Sequence, residues 1–288
     1  MQKKISVCIP SYNAEPFIGE TIKSVLDSDY RNFEIIVNDD ASTDNTPAIV
    51  ESIRDGRIRF YRNERNVGPV RNWNLAVTKA TGEYVSLLNH DDLYGPFWLT
   101  FAAYQLEKNP RIGWVATAHC VIDTTGRTSE IVSRFRTTGE IPREEAFLEM
   151  AKFNGVGPGV VVRRKILEEM GYYDENAGPG ADNYLCMRLA MNYPLYYSAA
   201  YPHTSWRLHR DNLTHRIGPL QMAIEGIYII ERIFNDPRIP PELAKHKKKC
   251  FEHYFNKAKA FADHTLRHRD EDTYRKVLAI LRQSGYEG

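Results

Sequence analysis

The sequence of 288 residues lacks several features that would place it in a specialised class of protein. No apolar run approaches the roughly 18 residues needed to span a membrane, and residues 1–10 hold too short an apolar stretch for a secretory signal. These absences predict a cytoplasmic protein without a transmembrane segment. The 4 cysteines have no CxxC spacing, which favours free buried thiols over disulfides or a zinc site.

An excess of charge of one sign is also missing. The formal net charge is +1 and no long basic run is interleaved with aromatic residues, so nothing indicates a nucleic-acid partner. No GxGxxG motif follows the first apolar run, where the chain reads PSYNAE, which argues against a dinucleotide-dependent dehydrogenase. The same turn lacks the glycine- and arginine-rich loop expected of a sugar nucleotidyltransferase.

The sequence does contain short apolar runs that alternate with amphipathic segments. Strands are predicted at 5–10, 33–37, 57–62 and 84–88, and a helix is predicted after each of them, the last at 98–108. This alternation predicts an α/β fold with a doubly wound, mostly parallel sheet and helices on both faces. In such sheets, ligands bind beyond the carboxyl ends of the strands.

Two pairs of aspartates follow the second and fourth predicted strands, Asp39 with Asp40 and Asp91 with Asp92. Four carboxylates at one sheet edge repel one another unless a cation or hydrogen-bond donors are present. Mg²⁺ or Mn²⁺ suits such a place, because these ions take one or two carboxylates together with substrate phosphates. The alternative for either pair is that aspartate simply favours turns and helix starts.

Several segments resemble, in order and spacing, the family-2 glycosyltransferases, which have the GT-A fold. The segments of closest resemblance are PSYNAEPFIGETIKSVL, FEIIVNDDASTDNT, NVGPVRNWNLAV and TGEYVSLLNHDD. Thinner matches in GYYDE, GADNYLCMRLA and WRLHRDNLT extend the resemblance over about residues 4–215. The resemblance implies metal-dependent, inverting transfer of one sugar from a nucleotide diphosphate donor to an acceptor hydroxyl. UDP is the first expectation for the nucleotide and dTDP the second, because uracil and thymine share the same imide edge.

The resemblance also implies where the donor nucleotide binds. Pro10 and Tyr12 correspond to residues that line the base pocket, and Asp40 corresponds to the acceptor of a hydrogen bond from the pyrimidine imide. Arg71 corresponds to an arginine near the base and the diphosphate, where its fixed fork of donors bridges acceptor oxygens. A solvent-facing helix arginine is the alternative interpretation of Arg71.

The second acidic turn corresponds to the metal-binding motif of the family. By this resemblance Asp92 ligates Mn²⁺ or Mg²⁺, and Asp91 lies nearer the ribose and the first phosphate. The chain departs from the family pattern at Asn89, where another acid is common, and at Ala41, where glycine is common. His90 is interpreted as a turn residue, because the hard cation prefers oxygen ligands.

Asp182, in GPGADNYLCM, resembles the catalytic base of the family, which removes the acceptor proton during attack on the anomeric carbon. A helix N-cap is the alternative role for this aspartate, and Ala181 replaces an acid that often precedes the base. His209 and Arg207 match a segment that closes over the donor phosphates, with Arg210 as a helper. The remaining loop histidines, His119, His203 and His215, are given no role.

The predicted domain division places a catalytic domain at 1–217 and a helical extension at 218–288. Within the catalytic domain, 1–116 is the half that binds the nucleotide sugar and 117–217 is the half that binds the acceptor. The acceptor is expected to be a carbohydrate or a lipid-linked molecule. The extension carries two apolar stripes at helical spacing, one from Ala223 to Phe234 and one from Phe251 to Ala262.

The sequence allows two interpretations for each of two surface features of the extension. The apolar stripes suit packing against the catalytic domain or against a second subunit in a homodimer. The basic turn KHKKK, Lys245 to Lys249, suits either solvent or the anionic inner face of a membrane, as a peripheral contact. A non-catalytic partner subunit that only binds nucleotide sugar is the alternative function. A processive synthase is disfavoured, because neither transmembrane helices nor a QxxRW string is present.

Overall fold

A computed structural model describes residues 2–152 and 156–267, together with residues 275 and 279. The first part of the chain alternates strands and helices, as predicted, and β2 runs on to include the first acid of its turn. The elements are β1 Ile5–Ser11, α1 Ile18–Leu26, β2 Phe33–Asp39, α2 Thr46–Ser52, β3 Ile58–Arg62, α3 Pro69–Val77, β4 Tyr84–Leu87, β5 Leu93–Tyr94 and α4 Trp98–Lys108.

The next part of the chain contains shorter elements that complete the sheet and supply the acceptor-side helices. In chain order they are β6 Trp114–Thr117, β7 His119–Ile122, β8 Thr128–Val132, β9 Gly139–Ile141, α5 Arg143–Met150, β10 Val161–Arg163, α6 Arg164–Met170, the 3₁₀ helix Glu175–Gly180, α7 Ala181–Asn192, β11 Leu195–Ser198 and β12 Thr204–Arg207.

The main sheet has eight strands in the order β3-β2-β1-β4-β10-β6-β11-β9. The strand pairs β1–β2, β1–β4, β2–β3 and β6–β11 are parallel, whereas β10 runs antiparallel to both of its neighbours. The predicted α/β fold with a mostly parallel sheet is therefore confirmed. Because β1, β2 and β4 are parallel neighbours, both acidic turns lie at the same edge of the sheet.

Hydrophobic cores cover both faces of this sheet, because successive side chains of a strand point to opposite faces. Ile9 and Val37 belong to one core, with α1 and α4, whereas Cys8 and Ile36 belong to the other, with α3, α5 and α7. Strands buried on both faces read as continuous apolar runs, which explains why β1 and β2 were evident in the sequence. The four cysteines are free thiols, as predicted.

A second, smaller sheet has the strand order β5-β12-β7-β8. Its strand β5 follows directly after Asp92, and β12 pairs with β5 through Thr204–Tyr94 and Ser205–Leu93. This pairing brings the segment after β12, which includes His209, against the second acidic turn. The small sheet therefore connects the two predicted halves of the catalytic domain at the site.

Three helices follow: α8 Leu213–Phe234, α9 Pro241–Ala244 and α10 Lys247–Arg267. The predicted boundary at residue 217 falls within α8, and the division into domains stays a prediction. Ile227 and Ile230 of α8 and Tyr254 of α10 are buried in the core shared with α5 and α7, so the predicted stripes pack within the chain. The stripe side chains outside the described set are Ala223, Ala258, Phe261 and Ala262.

The remainder of the predicted extension, 268–274, 276–278 and 280–288, lies outside the described residues. Among the helices that the structure describes, none has both the length and the apolar character required to cross a bilayer. A homodimer through the terminal helices stays a prediction.

Candidate active site

The turn after β4 holds two buried carboxylates. Asp92 is 1% exposed; its Oδ1 accepts a hydrogen bond from the backbone N–H of Arg207 (3.0 Å), and its Oδ2 accepts one from Asn89 Nδ2 (3.3 Å). Burial, and secondly the negative charge of Asp91, hold the pKa of Asp92 well above its usual range. The hydrogen bonds from Arg207 and Asn89 therefore stabilise the charged form of Asp92 only in part.

The negative charge of Asp91 is compensated more directly than that of Asp92. Its Oδ2 lies 2.9 Å from His209 Nε2 and accepts a hydrogen bond from Asn212 Nδ2 at 3.0 Å. Burial acts to raise the pKa of Asp91, but the hydrogen bond from His209 and the histidine charges nearby outweigh it, so the pKa is lowered. His209 also packs on the ring of Phe17, with centroids 4.8 Å apart. The predicted candidates Asp91 and His209 are thus brought together.

Arg207 holds this turn from the inside. The residue is fully buried, and its Nε donates to the backbone oxygen of Asp91 (2.9 Å), its Nη2 to Glu20 Oε2 (2.7 Å) and its Nη1 to the backbone oxygen of Asp123 (3.1 Å). These contacts hold the guanidinium within the protein and give Arg207 a supporting role at the turn. The predicted contact of Arg207 with the diphosphate stays a prediction.

Asp40 directly follows β2, and both oxygens of its carboxylate accept hydrogen bonds from neighbouring residues. Its Oδ1 accepts hydrogen bonds from Asn63 Nδ2 (2.8 Å) and the Val67 backbone N–H (2.9 Å), and its Oδ2 accepts one from the Gly68 backbone N–H (3.0 Å). The residue is 2% exposed. The carboxylate is thereby fixed at the sheet edge, and its predicted bond to a pyrimidine base stays a prediction.

The other predicted nucleotide contacts lie near Asp40. Pro10 is in β1, and the Asp40 backbone N–H donates to the oxygen of Ser11 at 2.8 Å, so Tyr12 directly follows this contact. Tyr12 is 42% exposed, which leaves its ring accessible to a base. Arg71 lies in the first turn of α3 and is exposed. The structure thus places these residues at the same edge of the sheet.

Asp182 is the second residue of α7, where the N-cap position belongs to Gly180, so the alternative of an N-cap does not hold. Its Oδ1 accepts a hydrogen bond from the Asn183 backbone N–H (2.7 Å). The side chain keeps contact with solvent at the mouth of a cavity, while protein atoms on its other sides raise its pKa by desolvation. That cavity, of about 300 Å³, is lined by Asp182, Asn89 and Asp92 together.

The acidic edge fits a hard divalent cation. Within the described part of the chain, no group of three or more His, Cys, Asp or Glu residues is arranged as a metal site. Mg²⁺ and Mn²⁺ do not require one, since they take one or two carboxylates and complete their shell with phosphate oxygens and water. The observation that favours a cation here is that two adjacent buried carboxyl groups, Asp91 and Asp92, lie at one edge of the sheet.

The structure also shows the places of residues that the sequence left without a role at the site. His90 Nδ1 lies 3.3 Å from the backbone oxygen of Pro10, which agrees with a turn residue. Glu20 of α1 and Phe17, the N-cap residue of that helix, carried no signal of their place at the site, because their partners are distant along the chain. Asn212 stands in the quoted segment WRLHRDNLT, three positions after His209, and its place in that segment was the available signal.

A two-sheet α/β fold, with an acidic sheet edge and an aspartate at the start of α7 lining one cavity, is that of the GT-A type of glycosyltransferase. The chain belongs to glycosyl transferase family 2, whose family model matches residues 6–171.

Relatives with assigned activities include a Campylobacter jejuni GalNAc(5)-diNAcBac-PP-undecaprenol beta-1,3-glucosyltransferase, 27% identical over 87% of this chain and 80% of its own length. The Escherichia coli UDP-Glc:alpha-D-GlcNAc-diphosphoundecaprenol beta-1,3-glucosyltransferase WfgD is 40% identical over 57% of this chain and 61% of its own length. The similarity therefore extends beyond the nucleotide-binding motifs.

Solved structures share the fold. Staphylococcus aureus TarS 1-349, in complex with UDP-GlcNAc, matches with a TM-score of 0.70 and 21% identity over 99% of this chain and 93% of its own. The Pyrobaculum calidifontis mannosyltransferase PcManGT, in complex with GDP-Man and Mn²⁺, matches with a TM-score of 0.66 and 19% identity over 100% of this chain and 82% of its own. At these identities the likeness concerns the fold alone.

Proposed function

We propose that this chain transfers a single sugar from a UDP-sugar to a hydroxyl group of a lipid-linked or other glycan acceptor. The observation that carries the proposal is that Asp182 and Asp92, from distant parts of the sequence, line one cavity at the edge of the sheet. The comparisons give no support to the alternative of a non-catalytic partner subunit.

The donor nucleotide is proposed to bind at the first acidic turn. The exposed ring of Tyr12 offers a surface for the base beside Pro10. Asp40 is proposed to accept a hydrogen bond from the imide N–H of that base. Arg71, exposed at the start of α3, reaches the diphosphate. UDP is preferred over dTDP, because the E. coli relative is named for UDP-Glc.

The diphosphate is proposed to lie at the second acidic turn. Asp92 and Asp91 are the residues that would hold Mn²⁺ or Mg²⁺, which offsets the charge of the leaving diphosphate when bound. His209, held against Asp91 and Phe17, faces the same group and adds a compensating donor. Arg207 acts through the turn that it holds, as a positioning residue.

Asp182 is proposed to act as the general base. The acceptor oxygen attacks the anomeric carbon, the bond from that carbon to the diphosphate oxygen breaks, and the hydroxyl proton passes to the Asp182 carboxylate. A single displacement of this kind inverts the anomeric configuration. Because aspartate is a weak base, the proton moves during bond formation, and the raised pKa of Asp182 brings it nearer to the working pH.

The acceptor is proposed to be lipid-linked, and the protein to work as a peripheral protein at the cytoplasmic face of a membrane. Both named relatives act on undecaprenol-linked acceptors. The basic turn Lys245 to Lys249 supports the same location, although Lys245 and His246 already contact Glu144 (2.9 Å and 2.6 Å). The exposed Lys247, Lys248 and Lys249 leave positive charge for an anionic surface.

The test separates binding of the donor from transfer. Asp182→Asn is expected to bind UDP-sugar in the presence of Mn²⁺ as the wild type does, while its turnover falls by about 100- to 10,000-fold, the usual contribution of a general base. Binding is measured by calorimetry and turnover by release of UDP. In the wild type, the acid limb of the pH–rate profile should lie above the usual range of aspartate, because desolvation by the protein atoms around one side of the carboxyl raises the Asp182 pKa.

The matched control is Asp211→Asn, since Asp211 is an exposed aspartate two positions after His209. This variant should keep both binding and turnover. Donor binding without release of UDP by the wild type, across UDP-sugars and acceptors, would favour the non-catalytic alternative and count against the proposal.

A further inference from the structure

Trp206 differs from the other tryptophans in the way its ring is covered. Trp98 and Trp114 are fully buried in the hydrophobic cores. Trp73 packs edge-on against Tyr173, with ring centroids 5.4 Å apart. Trp206 lines the active-site cavity and is partly exposed, and among the residues that the structure describes its ring has no aromatic partner and its indole N–H no hydrogen bond. The cavity therefore contains an aromatic surface that a ligand can cover.

The strand that carries Trp206 fixes the direction of its side chain. In the small sheet, β12 pairs with β7, and Trp206 lies opposite Val121. Successive side chains of a strand point to opposite faces of the sheet. The next residue, Arg207, points towards α1, where its guanidinium contacts Glu20. Trp206 therefore points away from α1 and into the cavity.

This direction separates Trp206 from the proposed place of the diphosphate. That place is beside Asp91, where His209 packs on Phe17, the N-cap residue of α1. Asp182, the proposed base, lines the same cavity as Trp206. Because the reacting hydroxyl must meet the base, the space beside Trp206 belongs to the acceptor sugar and not to the diphosphate.

The cavity combines apolar surface with polar and ionisable groups. Leu213 and Met222 of α8 line it together with Trp206, and Leu213 is itself exposed. Its polar lining includes Asn89, Asp92, Arg134, Asp182 and Glu225. A pyranose ring presents the complement, since its faces consist of C–H groups and its rim carries hydroxyl groups. Ligand pockets commonly use such a combination, in which a few polar groups fix the orientation.

We propose, building on the proposed function, that Trp206 binds the acceptor by stacking against one face of its pyranose ring. The face of an indole carries partial negative charge, which attracts the slightly positive C–H groups of the sugar, and both surfaces leave contact with water. Stacking fixes the plane of the sugar and directs a hydroxyl of its rim to Asp182. Orientation of the reacting groups in this way lowers the barrier to transfer.

The first measurement uses the wild-type protein with Mn²⁺ and UDP. The probes are the methyl glycosides of glucose, galactose, mannose, N-acetylglucosamine and N-acetylgalactosamine, and saturation-transfer NMR measures which of their protons contact the protein. For a glycoside that binds, we expect the protons of one ring face to receive the strongest saturation. Equal saturation of both faces, or binding of none of these glycosides, overturns the inference.

The second measurement compares two variants of the same residue. Trp206→Leu keeps an apolar side chain but removes the aromatic face, so we expect the glycoside to bind about 10-fold more weakly. Trp206→Phe keeps an aromatic face and should stay within about 3-fold of the wild type. Tyr104→Leu, which removes an exposed ring outside the cavity, is the control and should bind as the wild type does. An unchanged affinity in Trp206→Leu would contradict the assignment.

Donor binding separates stacking on the acceptor from a merely structural role of Trp206. UDP-glucose with Mn²⁺ should bind Trp206→Leu as tightly as the wild type, as measured by calorimetry. An equal loss of donor and glycoside binding in this variant, without rescue by Trp206→Phe, would show that the residue only supports the shape of the cavity. That result overturns the inference.

The inference and the proposed function fail in different ways. A wild-type protein that stacks a glycoside and binds the donor but transfers no sugar would remove the proposed function and leave the stacking in place. Transfer by Trp206→Leu with the acceptor KM of the wild type would leave the proposed function intact and remove only this inference.

Discussion

The two acidic turns look alike in the sequence but are held by different parts of the chain. Asp40, after β2, receives its hydrogen bonds from residues 23, 27 and 28 positions further along. Asp91 and Asp92, after β4, receive theirs from residues 115 to 121 positions further along, apart from one bond that Asn89 donates to Asp92. The first turn can therefore form together with its neighbouring strands and helices, whereas the second is complete only when β12 and the segment after it have folded back.

The two turns also differ in how well hydrogen bonds from the protein stabilise their carboxylates. Backbone N–H groups and an asparagine surround Asp40, so its carboxylate is fixed before any ligand arrives. Asp92 keeps a raised pKa because burial and Asp91 oppose its charge. This difference supports the proposal that the first turn reads the neutral edge of a base and that the second holds a cation.

The largest effect is expected from breaking the distant support of the second turn. Arg207→Met removes donors from the carbonyls of Asp91 and Asp123 and from Glu20. We expect a loss of about 3 kcal/mol in the free energy of unfolding, because a fully buried side chain loses all its hydrogen bonds and the buried backbone oxygen of Asp91 loses its donor. Urea denaturation measures it. The exposed Arg210→Met is the control, and a loss as small as that of the control would refute the supporting role.

A somewhat smaller effect tests the cation at the second turn. UDP with Mn²⁺ at 100 times the dissociation constant should stabilise the wild type by about 2.7 kcal/mol. In Asp92→Asn this stabilisation should fall to the value measured with UDP alone, because the variant lacks a charged ligand for the ion. Thermal unfolding with and without Mn²⁺ checks this, with Asp211→Asn as the control. An undiminished response to Mn²⁺ in Asp92→Asn would remove Asp92 from the metal site.

The smallest effect is expected at the first turn. Asp40→Asn turns one acceptor oxygen into a donor that faces the N–H groups of Val67, Gly68 or Asn63, which should cost about 2 kcal/mol of stability. UDP binding should weaken by the same factor with and without Mn²⁺, in contrast to Asp92→Asn. Calorimetry under both conditions measures the two factors, and Asp27→Asn at an exposed position is the control. A loss of binding confined to the Mn²⁺ condition would make the two turns equivalent.

Much of the fold was predictable because its central strands are buried on both faces. β1, β2 and the helix at 98–108 followed from apolar runs and helical spacing. The short strands β9 and β11 gave no such signal, because three or four residues are too few to establish a period. The sequence also gave no indication that β10 is antiparallel to its neighbours, since the direction of a strand depends on the path of the chain between elements.

The site was predictable only as far as local motifs extend. Asp40, Asp92 and Asp182 stood in segments that resemble a known family, and the structure brings the last two to one cavity. The ion pair of Glu20 with Arg207 joins residues 187 positions apart, so no spacing in the sequence indicated it. His119 was given no role, because its position in the cavity wall depends on the small sheet.

The reversed strand β10 has a consequence for how such an enzyme can change its substrates. Because β10 runs against β4, the chain that enters it arrives at the acidic edge as a loop, and residues 156–160 of that loop form part of the cavity wall. Insertions or exchanges there would reshape the wall without shifting the register of the central strands. Evolution can therefore diversify the sugar that is recognised while the machinery for leaving-group departure stays unchanged.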